Sequence, residues 1–165
     1  MTKLDVLSTE HSIISNLMRN PNLLSKLKLK PEMFTDINAQ KFIQHVLDKG
    51  KVDVNEIYYK SREDVEFIPT QVLTKLFNSN GTDKTYFMQD QMNILNEYIL
   101  NQARSETNNF QSSPSKENFK YLIEQLKELD TLTIEKDNPT DTFLTRVMEN
   151  ILSDKPKTFI TTNFK

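Results

Sequence analysis

Cysteine is absent from this chain of 165 residues, and glycine occurs only at Gly50 and Gly81. Without a thiol, the sequence excludes disulfides, thiolate catalysis and cysteine-based zinc sites. A Walker loop or a dinucleotide-binding fingerprint needs closely spaced glycines, so both nucleotide-loop classes are excluded within these residues. The shortage of glycine also argues against a β-rich fold, which would need several tight hairpins.

A strong excess of one charge is also missing. Lysine and arginine number 21 against 23 aspartates and glutamates, which gives a formal net charge of -2. No overall positive field therefore attracts nucleic acid or an anionic membrane, and any contact with DNA must be local and weak. There is no amino-terminal signal stretch and no apolar run of about 18 residues or more, which predicts no membrane contact and a cytoplasmic location.

What the sequence does contain is helical spacing with recognisable caps. Ser8 and Thr9 are predicted N-caps of a first helix, with Glu10 in its first turn. The pair Asn20-Pro21 predicts a second short helix, which should end near Lys30-Pro31 because the residue before proline avoids helical angles.

The clearest helix precedes Gly50, which stands where a left-handed C-cap residue is expected. Its apolar residues recur at i, i+3, i+4, i+7 and i+8: Ala39, Phe42, Ile43, Val46 and Leu47. Asp53 and Glu56 have capping-box spacing, and Pro69 introduces a further helix before Asn80-Gly81. We therefore predict an all-α fold in which residues 1–82 form a small globular helical subdomain.

Residues 83–132 are predicted to form a protruding αα-hairpin. Asp83 is the expected cap of its first helix and Ser113-Pro114 the expected start of its second. Such a hairpin cannot cover both of its apolar stripes by itself, so part of them should meet another subunit. The predicted oligomer interface consists of Leu95, Tyr98, Ile99, Phe110, Phe119, Leu122, Ile123 and Leu126.

Residues 133–165 are predicted to be a linker that carries a separate amphipathic helix. The linker is the polar stretch around Asn138-Pro139. An isolated short helix is marginal in water, so this linker helix should dock on a partner surface. Its docking residues are expected to be Phe143, Leu144, Val147, Met148 and Ile151. The alternative is a terminal helix that folds back on its own globule.

No catalytic constellation is visible in the sequence. His11 and His45 have no carboxylate at ligand spacing, which favours structural or surface roles, and no metal or cofactor site is predicted. The alternating Lys26, Lys28 and Lys30 favour a surface edge over a phosphate groove, although a weak nucleic-acid role stays open because three like charges act locally.

The order of the patterns resembles the amino-terminal domain of DnaB-type replicative DNA helicases. The resemblance lies in the stretch 10–18, in Pro21-Asn22-Leu23-Leu24, in the stretch 29–34 and in the helix 41–48 with its Gly50 turn. A hairpin, a linker and a linker helix then follow in the family's order. Residues 159–165 resemble the entry to the RecA-like motor domain, with Asn163 in place of the family's usual glycine.

The resemblance implies a scaffold role in DNA replication, in a cytoplasmic protein of bacteriophage or bacterial origin. In this family the amino-terminal domains form a collar of three dimers on a hexameric ring, the hairpins pair, and primase and loader proteins dock on or near this layer. The linker helix packs against the motor domain of the next subunit. ATP and Mg²⁺ act in the motor domain, so no cofactor and no turnover are expected in these 165 residues.

Two other interpretations stay open at this point. The chain could be a free-standing replication regulator, or a protein that interacts with a helicase loader, without any motor. The least favoured interpretation is a small enzyme with a site that the sequence does not reveal.

Overall fold

The computed structural model describes residues 3–79 and 84–132, and within these ranges it is all-α, without a strand. This confirms the predicted fold class. The main helices are α1 (Lys3–Arg19), α2 (Ile37–Lys49), α3 (Val54–Glu63), α4 (Thr70–Asn78), α5 (Phe87–Ser112) and α6 (Lys116–Asp130). Short 3₁₀ helices occupy Pro21–Lys26, Pro31–Met33 and Lys84–Tyr86. None of the described helices is both long enough and apolar enough to cross a bilayer.

Helix α1 starts earlier than its caps predict. Ser8 and Thr9 lie inside the helix, and the Thr9 hydroxyl donates to the Asp5 carbonyl one turn back, at 2.9 Å. That local bond lets a residue of capping type sit in a helix interior. Because the helix starts at Lys3, Glu10 is in its middle and not in its first turn.

The core of the first unit is formed by apolar residues of α1 to α5, and α1 is buried on all sides over residues 12–18. The chain divides into two compact units, 1–104 and 105–165. In the first unit, α1 packs against α2 and α4, and α3 packs against α4. Side chains with no exposed surface include Ile13, Ile14, Leu17, Phe42, Ile43, Ile57 and Leu73. Burial of each such side chain stabilises the fold by about 1.5–3 kcal/mol before entropy is counted.

The helix predicted before Gly50 is confirmed as α2. Asp36 caps its start by accepting a bond from the Asn38 amide at 2.9 Å. Gly50 ends it with a φ of 64°, a left-handed conformation that costs glycine little, and donates to the Leu47 carbonyl at 3.2 Å.

Only half of the predicted capping box at α3 forms. Asp53 accepts a bond from the Glu56 amide at 3.1 Å, as the spacing predicts. The Glu56 carboxylate does not return to Asp53 but binds the ammonium groups of Lys49 at 2.9 Å and Lys51 at 3.0 Å. These two lysines, Lys49 first, lower the pKa of Glu56 from 4.5 to about 2.

Helix α5 contributes to the core of the first unit through about its first five turns. Phe87, Ile94, Leu95, Ile99 and Ala103 are all buried there. The division between the two units therefore falls inside α5, after Arg104, whereas the sequence patterns placed a boundary after residue 82. The predicted cap Asp83 and the linker with its helix, residues 133–165, lie outside the described residues.

Candidate interaction surface

Helix α6 in the second unit has a well-defined start. Ser115 is its N-cap and accepts a bond from the Asn118 amide at 3.0 Å, which corrects the prediction that Ser113 has this role. The Asn118 side chain donates to the Ser113 carbonyl at 2.6 Å and ties the connecting turn to the helix. Ser115 is the N-cap because its hydroxyl lies three residues before the Asn118 amide, which needs an acceptor, whereas Ser113 lies two residues too early.

Apolar side chains cover one side of α6. With 3.6 residues per turn, Phe119, Ile123 and Leu126 point within about 60° of one another, and Leu122 and Leu129 extend this set on the side of Leu126. We call this set of five residues the α6 apolar face. No residue of α6 is buried in the chain, in contrast to α2, α3, α4 and α5.

The exposure of the α6 apolar face is uneven. Phe119 exposes 50% of its surface and Ile123 exposes 37%, while Leu122, Leu126 and Leu129 are half-buried. Tyr121 is exposed to a similar extent, 54%, but it points about 160° away from Ile123 around the helix. The two most exposed residues of the face are therefore one turn apart, where a single partner surface can cover both.

An aromatic pair connects the last turns of α5 to α6. The rings of Phe110 and Phe119 have centroids 5.8 Å apart and are tilted by 54°. Tilted pairs at this separation are worth about 0.5–1.5 kcal/mol beyond the area they bury. The contact orients Phe119 while half of that side chain stays in contact with water.

The charges of α6 nearly balance. The helix carries three lysines and four carboxylates. Glu117, Glu124 and Glu128 lie about 140° to 180° around the helix from Phe119, whereas Asp130, in the last turn, lies about 20° from it. Three of the four carboxylates are therefore remote from the α6 apolar face.

The structure separates the residues that were predicted as one oligomer interface. Leu95 and Ile99 expose only 6% and 3% of their surfaces because they belong to the core of the first unit. Tyr98, Phe110, Leu122 and Leu126 are half-buried, and only Phe119 and Ile123 are clearly exposed. The linker-helix residues Phe143, Leu144, Val147, Met148 and Ile151 lie outside the described residues.

The two histidines do have partners that the sequence did not reveal. The Nε2 atom of His11 lies 3.0 Å from a carboxylate oxygen of Asp36, a residue 25 positions away. The His45 ring packs on Phe67 at 5.3 Å. Partial burial, followed by the positive charges of Lys60 and Lys49, lowers the pKa of His45. Periodicity within a helix carries no information about such long-range contacts.

An open cleft of about 470 Å³ lies beside His45, between α2 and the turn after α3. Both lysines of its lining are engaged: Lys60 pairs with Asp64 at 3.3 Å, and the Lys41 ammonium donates to the Glu66 carbonyl. In the described part of the chain, no group of three or more histidine, aspartate or glutamate side chains could hold a metal ion.

Comparison of the chain with protein-family models, with curated proteins and with solved structures finds no match in any of the three.

Proposed function

We propose that this chain is the amino-terminal collar module of a hexameric replicative DNA helicase of the DnaB type, and that it assembles with other copies of itself through the α6 apolar face. The observation that carries the proposal is an amphipathic helix of 15 residues without a buried residue. A helix gains most of its stability from packing its apolar side, so the uncovered side of α6 favours a partner.

The sequence resemblance supports the choice of family. A small helical unit precedes two long helices in the order that the resemblance implies, and α2 ends in the Gly50 turn that forms part of it. In this proposal the chain supplies assembly and a docking layer for primase or a helicase loader. ATP hydrolysis would belong to a motor domain beyond residue 165.

Sedimentation velocity of the full chain tests the pairing. We expect wild-type protein to associate, and the double variant F119D/I123D to sediment as a monomer, because it places two carboxylates in the centre of the contact. Because Phe119→Asp also removes the ring contact with Phe110, circular dichroism must show that the double variant keeps the helix content of the wild type. The matched control is Tyr121→Asp, which changes an equally exposed residue on the other side of α6 and should associate like the wild type.

A wild-type chain that stays monomeric at high concentration would contradict the proposal, as would equal association of the control and the double variant. The coding sequence distinguishes the collar module from a free-standing regulator. Continuation past codon 165 into glycine-rich ATPase motifs supports the collar module, whereas a stop codon there supports the regulator.

A further inference from the structure

A short segment of the first unit presents three lysines on a fixed backbone. Lys26 ends the first 3₁₀ helix, and residues 27–30 connect it to the next 3₁₀ helix. Both ends of this connection are extended, with φ and ψ of -72° and 123° at Leu27 and -96° and 159° at Lys30. Side chains alternate in an extended chain: Leu29 is 2% exposed, while Lys28 and Lys30 are exposed, as is Lys26. We call Lys26, Lys28 and Lys30 the lysine segment.

One buried glutamine of α5 holds this backbone in place. Gln91 has no exposed surface, and its amide makes bonds to both sides of the segment. Its Oε1 accepts from the Lys28 amide at 2.7 Å, and its Nε2 donates to the Lys26 carbonyl at 3.1 Å. The three ammonium groups therefore extend from an ordered base, which reduces the entropy lost on binding a ligand.

The lysine segment keeps its positive charge uncompensated. In the described part of the chain, none of its three side chains forms an ion pair, whereas Lys49, Lys51 and Lys60 are all paired with carboxylates. The nearest acidic residue along the chain is Glu32, which is exposed in the following 3₁₀ helix.

We infer that the lysine segment binds the phosphodiester backbone of single-stranded nucleic acid. In an extended chain, alternate residues such as Lys28 and Lys30 are about 6.6 Å apart, a spacing similar to that of successive phosphates in an extended strand. Contacts between lysine and phosphate depend on the charge of the strand and do not distinguish its base sequence. An acidic peptide is the less favoured ligand because peptide recognition also needs pockets for side chains, and the apolar Leu29 faces the core.

This inference does not depend on the proposed pairing of α6. The probe is a fluorescent oligothymidylate, whose anisotropy is measured with the full chain over a series of salt concentrations. Three phosphate contacts on a single strand predict a slope of log K against log[salt] of about -2. In K26Q/K28Q/K30Q the slope should approach zero, and affinity at low salt should fall about tenfold or more.

The matched control is K75Q/K120Q/K127Q, which removes the same charge from exposed lysines of α4 and α6 and should bind like the wild type. Circular dichroism and sedimentation should show that both triple variants fold and associate like the wild type. Absence of wild-type binding at low salt would overturn the inference, as would equal losses in the two variants. Polyglutamate that competed as well as the oligonucleotide at equal charge would instead indicate an acidic protein ligand and would also overturn it.

Discussion

The carboxylate of Glu10 joins the middle of α1 to the start of α2. It is fully buried and accepts bonds from the Thr35 amide at 2.6 Å, the Thr35 hydroxyl at 2.8 Å and the Asp36 amide at 2.9 Å. Asp36 in turn caps α2 and contacts His11. One side chain thus satisfies two backbone donors that would otherwise be partly buried without an acceptor, a situation that costs free energy.

Glu10→Ala should lower the free energy of unfolding by about 2–3 kcal/mol, because bonds to a charged acceptor are stronger than neutral ones and the two amides lose it together. Urea denaturation monitored by circular dichroism measures the loss. The control is Glu32→Ala, an exposed glutamate that should change stability by no more than about 0.5 kcal/mol. Equal stability of the two variants would show that Glu10 does not have this role.

Sequence reasoning identified the buried apolar residues of the first unit better than its buried polar ones. Ile13, Ile14 and Leu17 follow from periodicity alone, and all three are fully buried. The burial of Glu10 and Gln91 depends on contacts with residues 25 and 63 positions away in the chain. The periodicity of a helix does not encode such long-range contacts. Glu10 was therefore interpreted as a residue of the first turn, although it is buried in the middle of α1.

At the scale of elements, helix ends were predictable where one residue type was required by geometry. Gly50 and Asp53 have the conformation and the hydrogen bond that their types favour. Ser8 and Thr9 were misassigned because α1 already starts at Lys3, and Ser113 was misassigned because a second serine, Ser115, stands two residues closer to the helix.

The connection between α2 and α3 should respond to acid through Glu56. Its pKa is lowered in the folded chain to about 2, so the ionised form contributes stability above about 4.5 that is lost as the pH falls towards 2. The difference in unfolding free energy between the wild type and Glu56→Gln should therefore be constant above pH 4.5 and narrow below it. A difference that did not change with pH would contradict the ion-pair account.

At the scale of the whole molecule, the all-α class was predictable, whereas periodicity does not mark the division that the contacts place inside α5. The pattern after Gly81 indicates one long helix, and α5 does run unbroken from Phe87 to Ser112. Its first turns are core and its last turns belong to the second unit, and the apolar spacing is continuous across the division. The apolar spacing therefore did not distinguish Leu95 and Ile99, which are core residues, from interface residues. The exposure of Phe119 and Ile123 is likewise evident only in the folded chain.

Contact between the α6 apolar faces of two copies is the central claim, and site-specific cross-linking tests it most directly. Because the chain has no cysteine, an introduced one is its sole thiol. With a short bismaleimide, Ile123→Cys should give a covalent dimer on a denaturing gel, while Tyr121→Cys, on the opposite side of α6, should remain a monomer. Equal dimer yields for the two variants, or no dimer from Ile123→Cys at concentrations where the wild type associates, would contradict the account.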